Sequence, residues 1–186
     1  HNIPVYSTSD ILTGINKCYK ITEKLYQSKR PINLLEEVCV KDFKVTAFEV
    51  EHDSSQCVGY HIEFEGEKIT LATDLGGINE TAREYICKAD HVVIESNYDE
   101  EMLINGHYHY VLKKRILGGN GHLANHVTMK FLADNFQEHW KNIFFCHLSQ
   151  NNNTPDTVMR AANAALQDKN INVAPLPRTK IYEVEL

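Results

Sequence analysis

Five residues spaced through the middle of the chain could act together on a metal ion and its water: His52, Asp74, Glu95, His122 and His147. Four of them close apolar runs. Lys44 to Val50 stops just before His52-Asp53, the run through Ile69 and Leu71 ends at Asp74, Val92-Val93-Ile94 ends at Glu95, and Ile143 to Cys146 ends at His147. Imidazole with carboxylate is the donor set of zinc and related metals, and strands hold such side chains more rigidly than loops. Taken singly, Asp74-Leu75-Gly76-Gly77 reads as a turn and Glu95 as a solvated strand end; only the set carries information. His122 differs, because it follows the glycine-rich Gly118-Gly119-Asn120-Gly121, where an imidazole can swing toward a substrate. A carboxylate such as Glu95 on its other nitrogen would fix its tautomer and suit it to give a proton to a leaving oxygen. A metal ion would lower the pKa of its water to ~7 and stabilise charge on a phosphoryl oxygen.

These residues need a sheet to bring them together. Ile69 and Leu71 alternate with Lys68 and Thr70, whereas Val92-Val93-Ile94 runs unbroken, as in a strand covered on both faces. The pattern predicts an α/β sheet with the candidates at its carboxyl edge, where ligands bind in open α/β sheets. Cys57 to Phe64 and Lys68 to Thr73 predict a hairpin about Glu65-Gly66. Ile3 to Tyr6 predicts a short strand, Ser9-Asp10 caps a helix running to about Gln27, Arg30-Pro31 breaks it, and Ile32 to Lys41 reads as a connection. Further helices are expected after Asn79, as a short pair within Asp99 to Leu117, from an Asn125 cap, and from Thr154-Pro155. Lys180 to Val184 predicts a last strand. Lys113-Lys114-Arg115 reads first as a solvated face, and second as a phosphate contact ahead of His122.

The 186 residues can bury a core as one domain spanning 1–186, and 24% charged with 42% hydrophobic residues is ordinary for a globular protein. A net charge of -6 argues against coating nucleic acid or anionic membrane by bulk electrostatics. Five scattered cysteines without a C-x-x-C pair match reduced usage, and no apolar run is long enough to span a bilayer, so a cytoplasmic location without membrane partners is the expectation.

The motifs HDSSQCVGY at His52, TDLGG at Asp74, VIESNYD at Glu95, GHLAN at His122 and CHLSQNNN at His147 carry a family resemblance. In order and spacing they resemble the metallo-β-lactamase superfamily, and most of all its YycJ (WalJ) branch, related to the RNase Z type nucleases. The resemblance implies an α/β, metallo-β-lactamase-like αββα sandwich. It implies two divalent ions, zinc or manganese, with His52 a terminal ligand, Asp74 a bridging carboxylate and His147 a terminal ligand of the second ion. It pairs Glu95 with His122 in phosphodiester cleavage and makes DNA the substrate of an exonuclease. Asn97, Asn125, Lys113, Lys114 and Arg115 are the substrate-side candidates.

The superfamily's H-x-H-x-D-H motif does not occur here; His107-Tyr108-His109 lacks the following Asp-His, and its two histidines read as surface or substrate-side. The fold is therefore expected to be N-terminally incomplete. The expectations that follow are weak metal occupancy and no activity in this chain alone, and exposed apolar sheet surface that favours self-association. A small-molecule phosphodiesterase on the same scaffold, or a non-catalytic structural fragment, are the alternatives.

Overall fold

The hairpin and the two runs that end at Asp74 and Glu95 become the centre of one sheet. In chain order the elements are β1 (Val5–Ser7), α1 (Ser9–Lys17), β2 (Lys29–Pro31), β3 (Glu37–Val40), β4 (Phe43–Val50), β5 (Cys57–Phe64), β6 (Glu67–Ala72), α2 (Glu80–Lys88), β7 (His91–Glu95), α3 (Glu100–Asn105), α4 (Tyr110–Leu117), α5 (Asn125–Asp134), β8 (Asn142–Cys146), α6 (Pro155–Leu166) and β9 (Asn172–Pro175). The computed structural model describes residues 3–53, 56–119 and 121–183. Among them a seven-stranded sheet has the order β3-β4-β5-β6-β7-β8-β9, and β1 pairs with β2 separately.

The sheet changes character halfway. From β3 to β6 the pairs are antiparallel and joined by short turns; from β6 to β9 they are parallel and joined through helices. Because β4 and β6 both run antiparallel to β5, the ends of β4, β6, β7 and β8 lie on one edge. That edge is where His52, Asp74, Glu95 and His147 sit.

The two faces differ in cover. Phe48, Ala72, Ile94 and Phe145 are in lateral register and fully buried, packed in one core with Ile86 of α2, Leu132 of α5 and Val158 of α6. Gly59 belongs to this row and leaves space for the Phe48 ring, whose nearest atom would lie 2.3 Å from a Cβ there. On the opposite face Tyr60, Leu71, Val93 and Ala174 are half-buried, and Phe144 in the same row is buried. Part of that face carries β1, where the Tyr60 hydroxyl donates to Ser7 Oγ at 3.0 Å.

Several expectations need correction. Helix α1 stops at Lys17, not near Gln27: Cys18 takes an extended conformation, and Asn16 Oδ1 accepts from the Leu25 N–H at 2.7 Å, turning the chain. Past Lys17, Tyr19 and Ile21 are exposed and Cys18 and Leu25 are half-buried off the helix. Arg30-Pro31 ends the short strand β2, and the stretch read as a connection contains β3. Pro31 is tolerated in an edge strand that needs no N–H at that position. The last strand is β9, parallel to β8 after α6, and residues 180–183 are not in a strand; Val184 lies outside the described residues. No described helix is long and apolar enough to cross a membrane.

Candidate active site

Glu95 is the residue that ties the site together. It ends β7, is fully buried, and its Oε1 accepts from His122 Nδ1 at 2.7 Å and from His147 Nδ1 at 3.0 Å. Its Oε2 accepts from the Leu75 N–H. Burial by itself pushes the Glu95 carboxyl up, but the bonds from His122, His147 and the Leu75 N–H together outweigh it and hold the group below the usual carboxylate range. The hydrogen bond to Glu95 in turn raises the pKa of His147, against the opposing effect of partial burial. The expected Glu95 and His122 pair is present; the second imidazole on the same oxygen was not foreseen, because nothing local to His147 points 52 residues back.

The remaining members lie beside it in two overlapping groups that share His122, and neither group is the expected ligand set of His52, Asp74 and His147. Asp74 Oδ1 lies 3.6 Å from His147 Nδ1. The His52 and His122 ring centroids are 5.4 Å apart, and those of His122 and His147 are 5.1 Å apart. Ligand atoms of His52, Asp74 and His122 all lie within 4.8 Å of one another, as do those of Glu95, His122 and His147. Asp74 and His147 both have positive φ, 55° and 56°, in the left-handed region that non-glycine residues rarely enter. Such strain clusters at functional sites, where surrounding structure fixes it.

These residues fit a divalent metal. The donor set is imidazole and carboxylate, and His52 Nδ1 is buried without a hydrogen-bond partner, an arrangement that costs free energy unless something binds it. With Nδ1 of His147 on Glu95, its Nε2 is the nitrogen left to face a metal, the usual carboxylate support for a ligating histidine.

The substrate-side candidates divide. Asn97 stays at the site: its amide donates to the His147 carbonyl at 2.6 Å, and it lines a cavity of about 390 Å³ with His122 and His147. Asn125 does not: it is 3% exposed, its side chain makes no cap, and its Oδ1 accepts from Ser96 Oγ and Asn153 Nδ2. That amide network, with Asn153 also donating to the Ser96 and Asn97 carbonyls, ties the end of β7 to the starts of α5 and α6. The lysine-arginine triplet separates, since successive helix residues point about 100° apart. Lys113 Nζ donates to the Ile104 carbonyl, Lys114 borders an apolar hollow, and Arg115 alone reaches the site, paired with Asp53. The Arg115 guanidinium holds the Asp53 carboxyl below its ordinary value. His109 caps α4 and His107 is exposed, as expected of surface histidines.

Burial pushes the Cys146 thiol up to about 12, so this cysteine beside His147 behaves as a small apolar residue. Sequence reasoning missed Tyr108 and Arg178, which line the same cavity as His122 and His147. Arg178 lies 31 positions beyond His147, in a stretch read as a turn before a strand, and no local pattern marks it.

The comparisons with known proteins agree with this geometry. The family described as Beta-lactamase superfamily domain matches residues 1–138. Exodeoxyribonuclease YycJ of Bacillus anthracis is 33% identical over 132 residues, 71% of this chain and 50% of that protein. Exodeoxyribonuclease WalJ of Streptococcus pneumoniae serotype 2 is 32% identical over 112 residues, 60% of this chain and 42% of that protein. The chain thus spans about half the length of the curated relatives it matches. Among solved structures, zinc-bound PqqB from Methylobacterium extorquens superposes with a TM-score of 0.64 at 18% identity, covering 94% of this chain and 64% of that one. The metallo-β-lactamase fold protein YhfI from Bacillus subtilis gives 0.63 at 12% identity, covering 93% and 61%. From the family match and the shared fold, the chain belongs to the β-lactamase superfamily and has the metallo-β-lactamase fold.

Proposed function

We infer that the protein containing this chain is a metal-dependent phosphodiesterase that acts on DNA as an exonuclease. The single observation that supports this best is the buried Glu95 carboxylate accepting from both His122 and His147 beside Asp74 and His52. The similarity to proteins named exodeoxyribonucleases adds the substrate class. His52, Asp74 and His147 would hold divalent metal, two ions of zinc or manganese in the intact protein. A bound ion supplies Lewis-acid activation of water and of the phosphoryl oxygen.

The chain's own residues do the rest. Glu95 accepts the hydrogen bond from His122 Nδ1–H and leaves Nε2 facing the cavity; the imidazolium gives its Nε2 proton to the leaving oxygen and keeps its Nδ1–H on Glu95. Glu95 also orients His147, so one buried carboxylate aligns a ligand and an acid together. Asn97, through the His147 carbonyl, fixes the strained backbone that presents that ligand. The donors in this chain alone form an incomplete binuclear set, so its own metal affinity is weak and its activity belongs to the intact protein.

The test compares cleavage of linear DNA with that of bis(p-nitrophenyl) phosphate by the intact protein with added zinc or manganese. The DNA reading expects DNA to be the far better substrate, with Asp74→Ala and His122→Ala each lowering its turnover by a factor of 10² or more, and with His122→Ala retaining metal affinity. Activity surviving Asp74→Ala contradicts the reading. Equal or greater efficiency on the small diester supports the small-molecule phosphodiesterase, which the net charge of -6 mildly favours.

A further inference from the structure

Above His122 and His147 lies a cavity whose walls come from three separate parts of the chain. Helix α4 gives Arg115, the segment before it gives Tyr108, and the C-terminal stretch gives Arg178. Its volume of about 390 Å³ falls in the lower part of the ~300–1,000 Å³ range of small-ligand sites. Arg178 donates to the Leu148 carbonyl at 2.6 Å and has no carboxylate partner among the described residues, and its positive charge is felt at His147. Arg115 shares its charge with Asp53. Tyr108 is half-buried, its hydroxyl accepting from Asn151 Nδ2 at 3.4 Å.

We propose that this cavity is a one-nucleotide subsite, in which Arg178 holds the phosphate next to the cleaved bond and the Tyr108 ring stacks on the base. The proposal rests on the DNA phosphodiesterase reading and names the residues that would recognise its substrate. A guanidinium without a carboxylate partner matches phosphate geometry through its fixed fork of donors. An aromatic ring offers a stacking platform that every base can use. The acidic chain would otherwise repel a phosphodiester, so a local cation not neutralised by a carboxylate is needed where the charge must enter. Arg115 remains on Asp53 and anchors α4, which keeps the cavity wall in place.

The test is calorimetric titration of this chain with thymidine 5′-monophosphate and, separately, inorganic phosphate, both with a chelator so that no metal carries the ligand. Wild type should bind the nucleotide saturably and phosphate more weakly. Arg178→Ala should weaken both ligands; Tyr108→Leu should weaken the nucleotide about tenfold and leave phosphate unchanged; Tyr108→Phe should restore the nucleotide affinity by keeping the ring. No saturable binding by wild type, unchanged affinity in Arg178→Ala and Tyr108→Leu, or a Tyr108→Phe loss equal to that of Tyr108→Leu would each overturn the subsite. Nucleotide binding as described in a protein that cleaves no DNA would support the subsite and overturn the nuclease reading, so the two fail separately.

Discussion

Glu95 accepts three hydrogen bonds while fully buried, and its charge is kept by those bonds against desolvation. Its lowered folded pKa contributes stability that is present above the ordinary value of 4.5 and is lost as pH falls through the folded value. The raised pKa of His147 contributes stability that is present below 6.5 and is lost as pH rises through the folded value. Both contributions are therefore complete only between pH 4.5 and 6.5. Glu95→Gln in chelator should lower Tm most in that window, with the gap to wild type narrowing on either side; a gap independent of pH would refute the coupling. Four of the candidate residues were legible because each follows an apolar run with a polar side chain of ligand chemistry, and His122 because it follows a glycine-rich stretch. The links among them were not: Arg115 to Asp53 spans 62 positions and Glu95 to His147 spans 52, and local periodicity does not encode such pairs. Asn125 misled for a related reason, since a helix-cap residue type serves here as a buried amide between Ser96 and Asn153.

At the scale of elements, the strands of the hairpin and the parallel core were readable from alternation and from unbroken β-branched runs, and α6 from its Thr154-Pro155 start. The missed strands β3 and β9 are four residues each at the two edges of the sheet, where burial is too slight to impose a pattern. The register of the core depends on small residues as much as large ones. A methyl group at Gly59 would meet the Phe48 ring and the Leu71 carbonyl, and Phe48 is in turn stacked on Tyr85 of α2. Gly59→Ala should therefore lower unfolding free energy by about 1–3 kcal/mol in urea titration. A neutral or stabilising result would show that the ring has another place to go.

For the molecule as a whole, one face of the sheet is sealed by α2, α5 and α6, and the other is half-covered by β1 and neighbouring segments. The αββα expectation is met in the first layer pair and is represented in the second by two short strands among the described residues. The candidate site lies at the edge of the sheet where β4, β6, β7 and β8 end. The central proposal, that this cluster of imidazoles and carboxylates holds divalent metal, is tested most directly by titrating manganese into this chain and following the histidine imidazole resonances by NMR. Weak binding is enough for that measurement. Paramagnetic broadening should reach His52, His122 and His147 first and leave the buried His61 and His91 sharp. Broadening that begins at His107 and His109, or that touches all histidines alike, would contradict the claim.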